Sequence, residues 1–112
     1  MGGALLARGR IADAIIVLLR EAAALSEPAQ RRLVDLYEHG VPERWPPHDV
    51  RILNWLKTAA GEGQVRPRIW LARVYASGLG VPKDVPRAIG LLRSTPHEDA
   101  QRLLHELSTA RP

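Results

Sequence analysis

Four histidines, at positions 39, 48, 97 and 105, are the side chains best suited to hold a metal ion or move a proton near neutral pH. A metal-binding helix face needs a second ligand one turn along, as in His-Glu-x-x-His, and no such pair occurs. His97 and Glu98 head a helix, where polar residues are ordinary, and His105 shares a helical face with Gln101 and Glu98. The chain has no cysteine, which excludes a thiolate metal site and a disulfide framework. Glu98 and Asp99 are adjacent acids, but acids gather at helix starts because of the helix dipole, and Glu62 stands alone. Ser26, Ser77, Ser94 and Ser108 fall at helix ends or in loops, as capping residues do, and no Gly-x-Ser-x-Gly elbow is present. The histidines read as turn and surface residues. No catalytic group, metal site or cofactor is expected, and so no enzyme.

The elements that carry these residues are helices. The 112 residues suit one domain, 46% are hydrophobic, and the apolar mass is Leu, Ala, Ile and Val with no Phe. From Ile11, the apolar residues Ile11, Ala14, Ile15, Leu18, Leu19 and Ala22 recur at helical steps, which predicts a helix over 9–24. Ser26 and Pro28 open a second helix that stops near Gly40. Pro42, Pro46 and Pro47 forbid helix in the loop that follows. A third helix is expected over 48–60, a fourth over 66–77, a fifth over 85–93 behind the N-cap Asp84, and a sixth over 97–108. Strand alternation and hairpin signals are absent, so the chain is expected to be all-α, three antiparallel helix pairs with short loops.

Formal charge is +4, from sixteen basic and twelve acidic residues. Only Lys57 and Lys83 are lysines, and Glu21, Glu27, Asp35, Glu38 and Glu43 interrupt the arginines. With no long basic run, nucleic acid is not an expected partner. "MGGALLARGR" is too soon interrupted for a signal-peptide core, and "IADAIIVLL" is far too short for a membrane span. Cytoplasmic and periplasmic locations both stay open, as does the oligomeric state.

An internal repeat organises the chain. "PAQRRLVDLY" (28–37), "RPRIWLARVY" (66–75) and, slid by one residue, "DAQRLLHELS" (99–108) bring Leu33, Leu71 and Leu104 into one column. Leu36, Val74 and Leu107 then coincide, and so do Tyr37, Tyr75 and Ser108. "RILNWLKTAA" (51–60) matches "RAIGLLRSTP" (87–96), and "DAIIVLLREA" (13–22) fits the same register through Ala14, Val17 and Leu18. Tyr37 and Tyr75 lie 38 residues apart, a period typical of stacked helix pairs.

The stretch "AAGEGQVRPRIWLARVYASGLGVPKDVPRAIGLL" resembles the Sel-one-like repeat family, relatives of the tetratricopeptide repeats. Ala59, Ala60, Gly63, Leu71, Tyr75, Gly78, Gly80, Val81, Asp84, Ala88 and Leu91 fall on the positions of that family's pattern. Gly78 and Gly80 would reverse the chain, Pro82 would stop the helix, Val81 would plug the turn and Asp84 would cap the next helix. Without a preceding strand or a Lys-Ser/Thr pair, this is no phosphate loop. The other copies depart from the pattern. The 40–48 loop lacks the Gly-x-Gly pair and is three residues longer, with Trp45 inserted and His48 standing where Asp84 stands. The connector "STPHED" is about four residues short, and the first pair keeps only "ALLAR" of its first helix. One helical-repeat domain over 1–112 is expected, a diverged or terminal piece of a longer array: an incomplete pair 4–24, pairs 28–60 and 66–93, and a terminal helix 97–109.

The resemblance implies a right-handed α/α solenoid that binds other proteins on a concave face lined by the first helix of each pair. By register that face takes Arg31, Asp35 and Glu38, then Arg66, Ile69 and Arg73, then Arg102 and Glu106. The row Arg31, Arg73 and Arg102 would suit an acidic segment or a C-terminal carboxylate. Leu33, Tyr37, Trp55, Leu71, Tyr75 and Ala88 are expected to pack inside, whereas Trp45 and Trp70, if exposed, are candidate contacts. Family members in bacteria occur in the cytoplasm and the envelope, so the alternative is a small accessory subunit of a larger complex. An apolar face around Ile11, Ile15 and Leu19 would hold it there.

Overall fold

The structure, a computed structural model, describes the backbone of residues 2–109 and the side chains of residues 9–109. Six α-helices make up the described chain: α1 Gly2–Ala23, α2 Glu27–His39, α3 Val50–Gly61, α4 Val65–Ser77, α5 Val85–Arg93 and α6 Glu98–Thr109. Among the described residues no strand forms, and extended pairing is confined to the bridge between Val41 and Trp45. The all-helical expectation holds. The largest boundary difference is at α1, which runs unbroken through Gly9, so "ALLAR" continues that helix and is not the remnant of another. A lone glycine costs a helix about 1 kcal/mol, which lowers its stability without ending it.

Caps set the helix starts. The Ser26 hydroxyl accepts from the Ala29 N–H at 3.4 Å, and the Asp84 carboxylate accepts from the Arg87 N–H at 3.1 Å. At α3 the expected equivalence of His48 and Asp84 splits in two. Asp49 does the capping, its Oδ1 accepting from the N–H groups of Arg51 (2.8 Å) and Ile52 (3.4 Å). His48 keeps the backbone role: its N–H donates to the Tyr37 carbonyl at 2.8 Å, as the Asp84 N–H donates to the Tyr75 carbonyl at 2.8 Å. Imidazole is bulkier than a carboxylate, and His48 sets its ring against Tyr37, with centroids 5.3 Å apart. These two bonds also correct the loop length. Tyr37 and His48 are eleven positions apart and Tyr75 and Asp84 nine, an insertion of two residues, not three.

The chain divides into two compact units, Met1–Trp55 and Leu56–Pro112. Each carries one copy of the same turn. In the first unit Leu25 N–H donates to the Ala22 carbonyl and Ser26 N–H to the Glu21 carbonyl. In the second, Gly63 N–H donates to the Ala60 carbonyl and Gln64 N–H to the Ala59 carbonyl. Both are Schellman closures, which satisfy the last carbonyls of a helix. Eight residues past each alanine a side chain returns to it: Gln30 Nε2 donates to the Ala22 carbonyl at 3.2 Å, and Arg68 Nε to the Ala60 carbonyl at 2.9 Å.

In the first unit α1 packs on α2, and Ile15, Ala22, Leu33, Val34, Tyr37 and Ile52 are buried. Ala14, expected on the inner stripe, is exposed: "IADAIIVLL" is too evenly apolar for its spacing to mark the inner face. In the second unit α4 packs on α5, and α6 packs against both. Leu71, Val74, Tyr75, Ala88, Leu92 and Ala100 are buried there. Gly78 and Gly80 have φ of 67° and 73°, the left-handed geometry expected of the α4–α5 turn, and Val81 is half-buried beneath it.

Candidate functional site

The residues expected on a binding face meet different fates. Arg31 lies 2.8 Å from Glu27, one turn earlier on its own helix. Arg102 pairs likewise with Glu98 at 3.5 Å and Asp99 at 3.9 Å. Arg66 reaches from α4 to Asp99 on α6 at 2.9 Å, so it is a strut between helices. Asp35 and Glu38 lie 3.9 and 3.7 Å from His39. Arg73 and Glu106 are exposed. Two residues correct the expectation: Ile69 is only 5% exposed and Trp70 only 9%, so neither offers a partner a surface. Pro67, Ile69, Trp70, Leu71, Ala72, Val74 and Tyr75 are all buried, so α4 is covered on nearly every side. Trp55 is half-buried in α3. Trp45 is half-buried too and borders two clefts, of about 320 and 350 Å³, on the proline-rich loop.

Two of the histidines, His48 and His97, act as structural groups. His97 Nδ1 accepts from the Asp99 N–H at 3.1 Å and so caps α6, while His39 and His105 are exposed. Among the described residues, no three His, Asp or Glu side chains cluster as metal ligands would. No helix among them is long and apolar enough to cross a membrane.

A different set of cations converges in the second unit. There the end of α3 and the neighbouring faces of α4 and α5 border a groove of about 380 Å³. Lys57, Arg68 and Arg87 line it, and no carboxylate does. Arg68 is held from two sides. Its Nε donates to the Ala60 carbonyl at 2.9 Å, and one Nη donates to the Ser94 hydroxyl at 2.9 Å and the Ser94 carbonyl at 3.2 Å. These acceptors are all neutral, so they orient the guanidinium and leave its charge unbalanced. Arg87 lies over the ring of Tyr75, 5.1 Å from its centre, in a cation–π contact. Leu71, Tyr75 and Leu91 supply apolar surface, and Gly61 and Gly90 leave the walls open.

The α4 residues of this groove, Arg68, Leu71 and Tyr75, stand two positions along from Arg66, Ile69 and Arg73. Two positions turn a helix by roughly 200°, so the groove lies on the opposite side of α4 from the face read by register. The signal was present in the sequence as Arg68 at the position of Gln30, but it lay in hydrogen-bonding capacity rather than in residue identity. No family model, curated protein or solved structure matches the chain.

Proposed function

We propose that this chain is a protein-binding helical-repeat module, a scaffold or adaptor with no catalysis of its own. In this reading its hairpins stack as the right-handed α/α solenoid that the Sel-one-like resemblance implies. The observation that carries it is the return of one hydrogen-bonding plan after 38 residues: Gln30 to Ala22 and Arg68 to Ala60, each after a Schellman turn. Repeats built to one plan present extended surfaces, and binding is what such surfaces do. The test is capture of proteins by the immobilised chain, compared with an R73E variant. Retention of a defined protein that R73E weakens supports the reading and the face named by register. Retention untouched by R73E removes that face, and retention of nothing removes the function.

A second reading, an accessory subunit held in a larger assembly, draws on α1. Among its described side chains, the large apolar residues left exposed are Ile16, 45% exposed, and Val17, 49% exposed. Ile15 is fully buried, and Ile11 and Leu19 are half-buried, so the face expected around those three is not the open one. An I16E/V17E variant that loses a partner retained by R73E would favour this reading.

A further inference from the structure

We propose that the groove formed by α3, α4 and α5 binds an acidic peptide segment that also carries an apolar side chain. The inference rests on the protein-binding reading and gives its partner a chemistry. Lys57, Arg68 and Arg87 put three cations on one small surface with no acid among the lining residues. The nearest acids in sequence are engaged elsewhere: Asp84 accepts from the Arg87 backbone N–H as a cap, and Glu62 lies 3.4 Å from Gln64 Nε2. Arg68 is already oriented by neutral acceptors, and its other Nη has none among the described residues. A guanidinium fixed in this way meets a carboxylate without first losing its freedom.

The groove is also lined by the apolar surfaces of Leu71, Tyr75 and Leu91, so it selects more than charge. Gly90 points the same way. It lies inside α5, where glycine is disfavoured, and a Cβ there would meet nothing within 4 Å. No packing requires that glycine, and the space beside it is the groove. The volume, about 380 Å³, is at the small end of ligand sites and suits a few side chains. A nucleic-acid strand fits less well. Base stacking needs an open aromatic face, and Tyr75 is only 8% exposed with Arg87 over its ring.

The experiment uses the full chain and a short fluorescein-labelled peptide of alternating Glu and Leu, read by anisotropy at low salt. Two further probes are the same peptide with Gln in place of Glu and a short oligothymidylate. The expected result is saturable binding of the Glu peptide, weakened about tenfold or more by K57E/R87E and by Gly90→Leu. R20E/R32E makes the same change in net charge on exposed arginines outside the groove lining and should leave binding near its original strength. Gly90→Leu fills the groove without removing a cation, so it keeps the test alive if K57E/R87E fails to fold by circular dichroism. Equal weakening by R20E/R32E would reduce the effect to net charge and overturn the proposal. Equal binding of the Gln peptide, or tighter binding of the oligothymidylate, would overturn the assigned chemistry. A chain that captures a protein yet ignores the Glu peptide loses the groove alone, whereas a chain that captures nothing loses the module reading first.

Discussion

Leu25 and Gly63 hold the same backbone position in successive turns, with φ of 67° and 87°. Each closes a Schellman turn with one hydrogen bond to an alanine carbonyl three residues back. Leucine pays a steric penalty in this left-handed geometry that glycine avoids. Leu25 is also 66% exposed, so little packing is lost with its side chain. Leu25→Gly should therefore stabilise the chain, by about 0.5–1 kcal/mol after the added freedom of the unfolded glycine is counted. A higher urea midpoint with unchanged slope is the expected readout, and a lower one would show that Leu25 has a contact role.

Gly40 and Gly90 should respond to alanine in opposite directions. Gly40 has φ 63° and ψ −156°, and a Cβ there would collide with the Trp45 carbonyl oxygen and lie 2.7 Å from the Pro47 nitrogen. These are backbone atoms of a loop rich in proline, which yields little. Gly40→Ala should cost about 2–4 kcal/mol through forbidden geometry and displaced backbone. Gly90→Ala adds a methyl to open space within a helix and should stabilise by about 0.5–1 kcal/mol. Thermal melts of the two variants beside the parent chain decide both.

Stability should fall in acid through Asp49 and Asp99. Burial pushes the Asp49 carboxyl upward, but hydrogen bonds from the Arg51 side chain and N–H, the Arg51 charge and the Ile52 N–H together outweigh it and hold it below 3.8. Asp99 is lowered chiefly by the hydrogen bond from Arg66, with the charges of Arg66, His97 and Arg102 helping against partial desolvation. Both folded values lie under the unfolded one, so as pH drops the unfolded chain takes up protons first. The stabilisation is full above the unfolded value of 3.8 and is lost as pH falls through the folded values. Urea midpoints should hold steady from neutrality to about pH 5 and decline below about pH 4. Asp49→Asn keeps a good cap and should flatten part of that decline, and an unchanged slope would exclude Asp49 as a source.

Leu33 and Leu71 occupy one repeat position, at 0% and 5% exposure. Truncation of either to alanine should cost about 2–5 kcal/mol, with the cavity term added to lost transfer energy. Leu33→Ala should stand toward the upper end, since Leu71 also borders the open groove, where the space left merges with solvent. Equal losses would mean that the groove collapses around the shortened residue.

Much of this arrangement was legible in the sequence, and the remainder was hidden for identifiable reasons. Leu33, Tyr37, Leu71 and Tyr75 repeat by identity, and Ser26 and Asp84 are strong N-cap types, so helix order and phase could be read directly. Ile69 and Trp70 misled because α4 is apolar on adjoining faces, and periodicity marks an inner face only when an outer one is polar. Asp49 was overlooked because register alignment favoured its neighbour His48, which keeps the backbone bond but not the cap. The groove was missed for another reason. Gln30 and Arg68 share no charge and little shape, only a nitrogen that reaches back eight residues, and comparison by identity does not register that.

The two tyrosine carbonyls fix where each connector must arrive, whatever its length. His48 and Asp84 meet them at the same 2.8 Å across loops that differ by two residues. The residues between are therefore metrically loose while their ends are pinned, and the tip at Glu43 and Arg44 is exposed. That makes the first connector a natural grafting point: a foreign epitope or tag spliced there would ride outside the helices without throwing the following ones out of step.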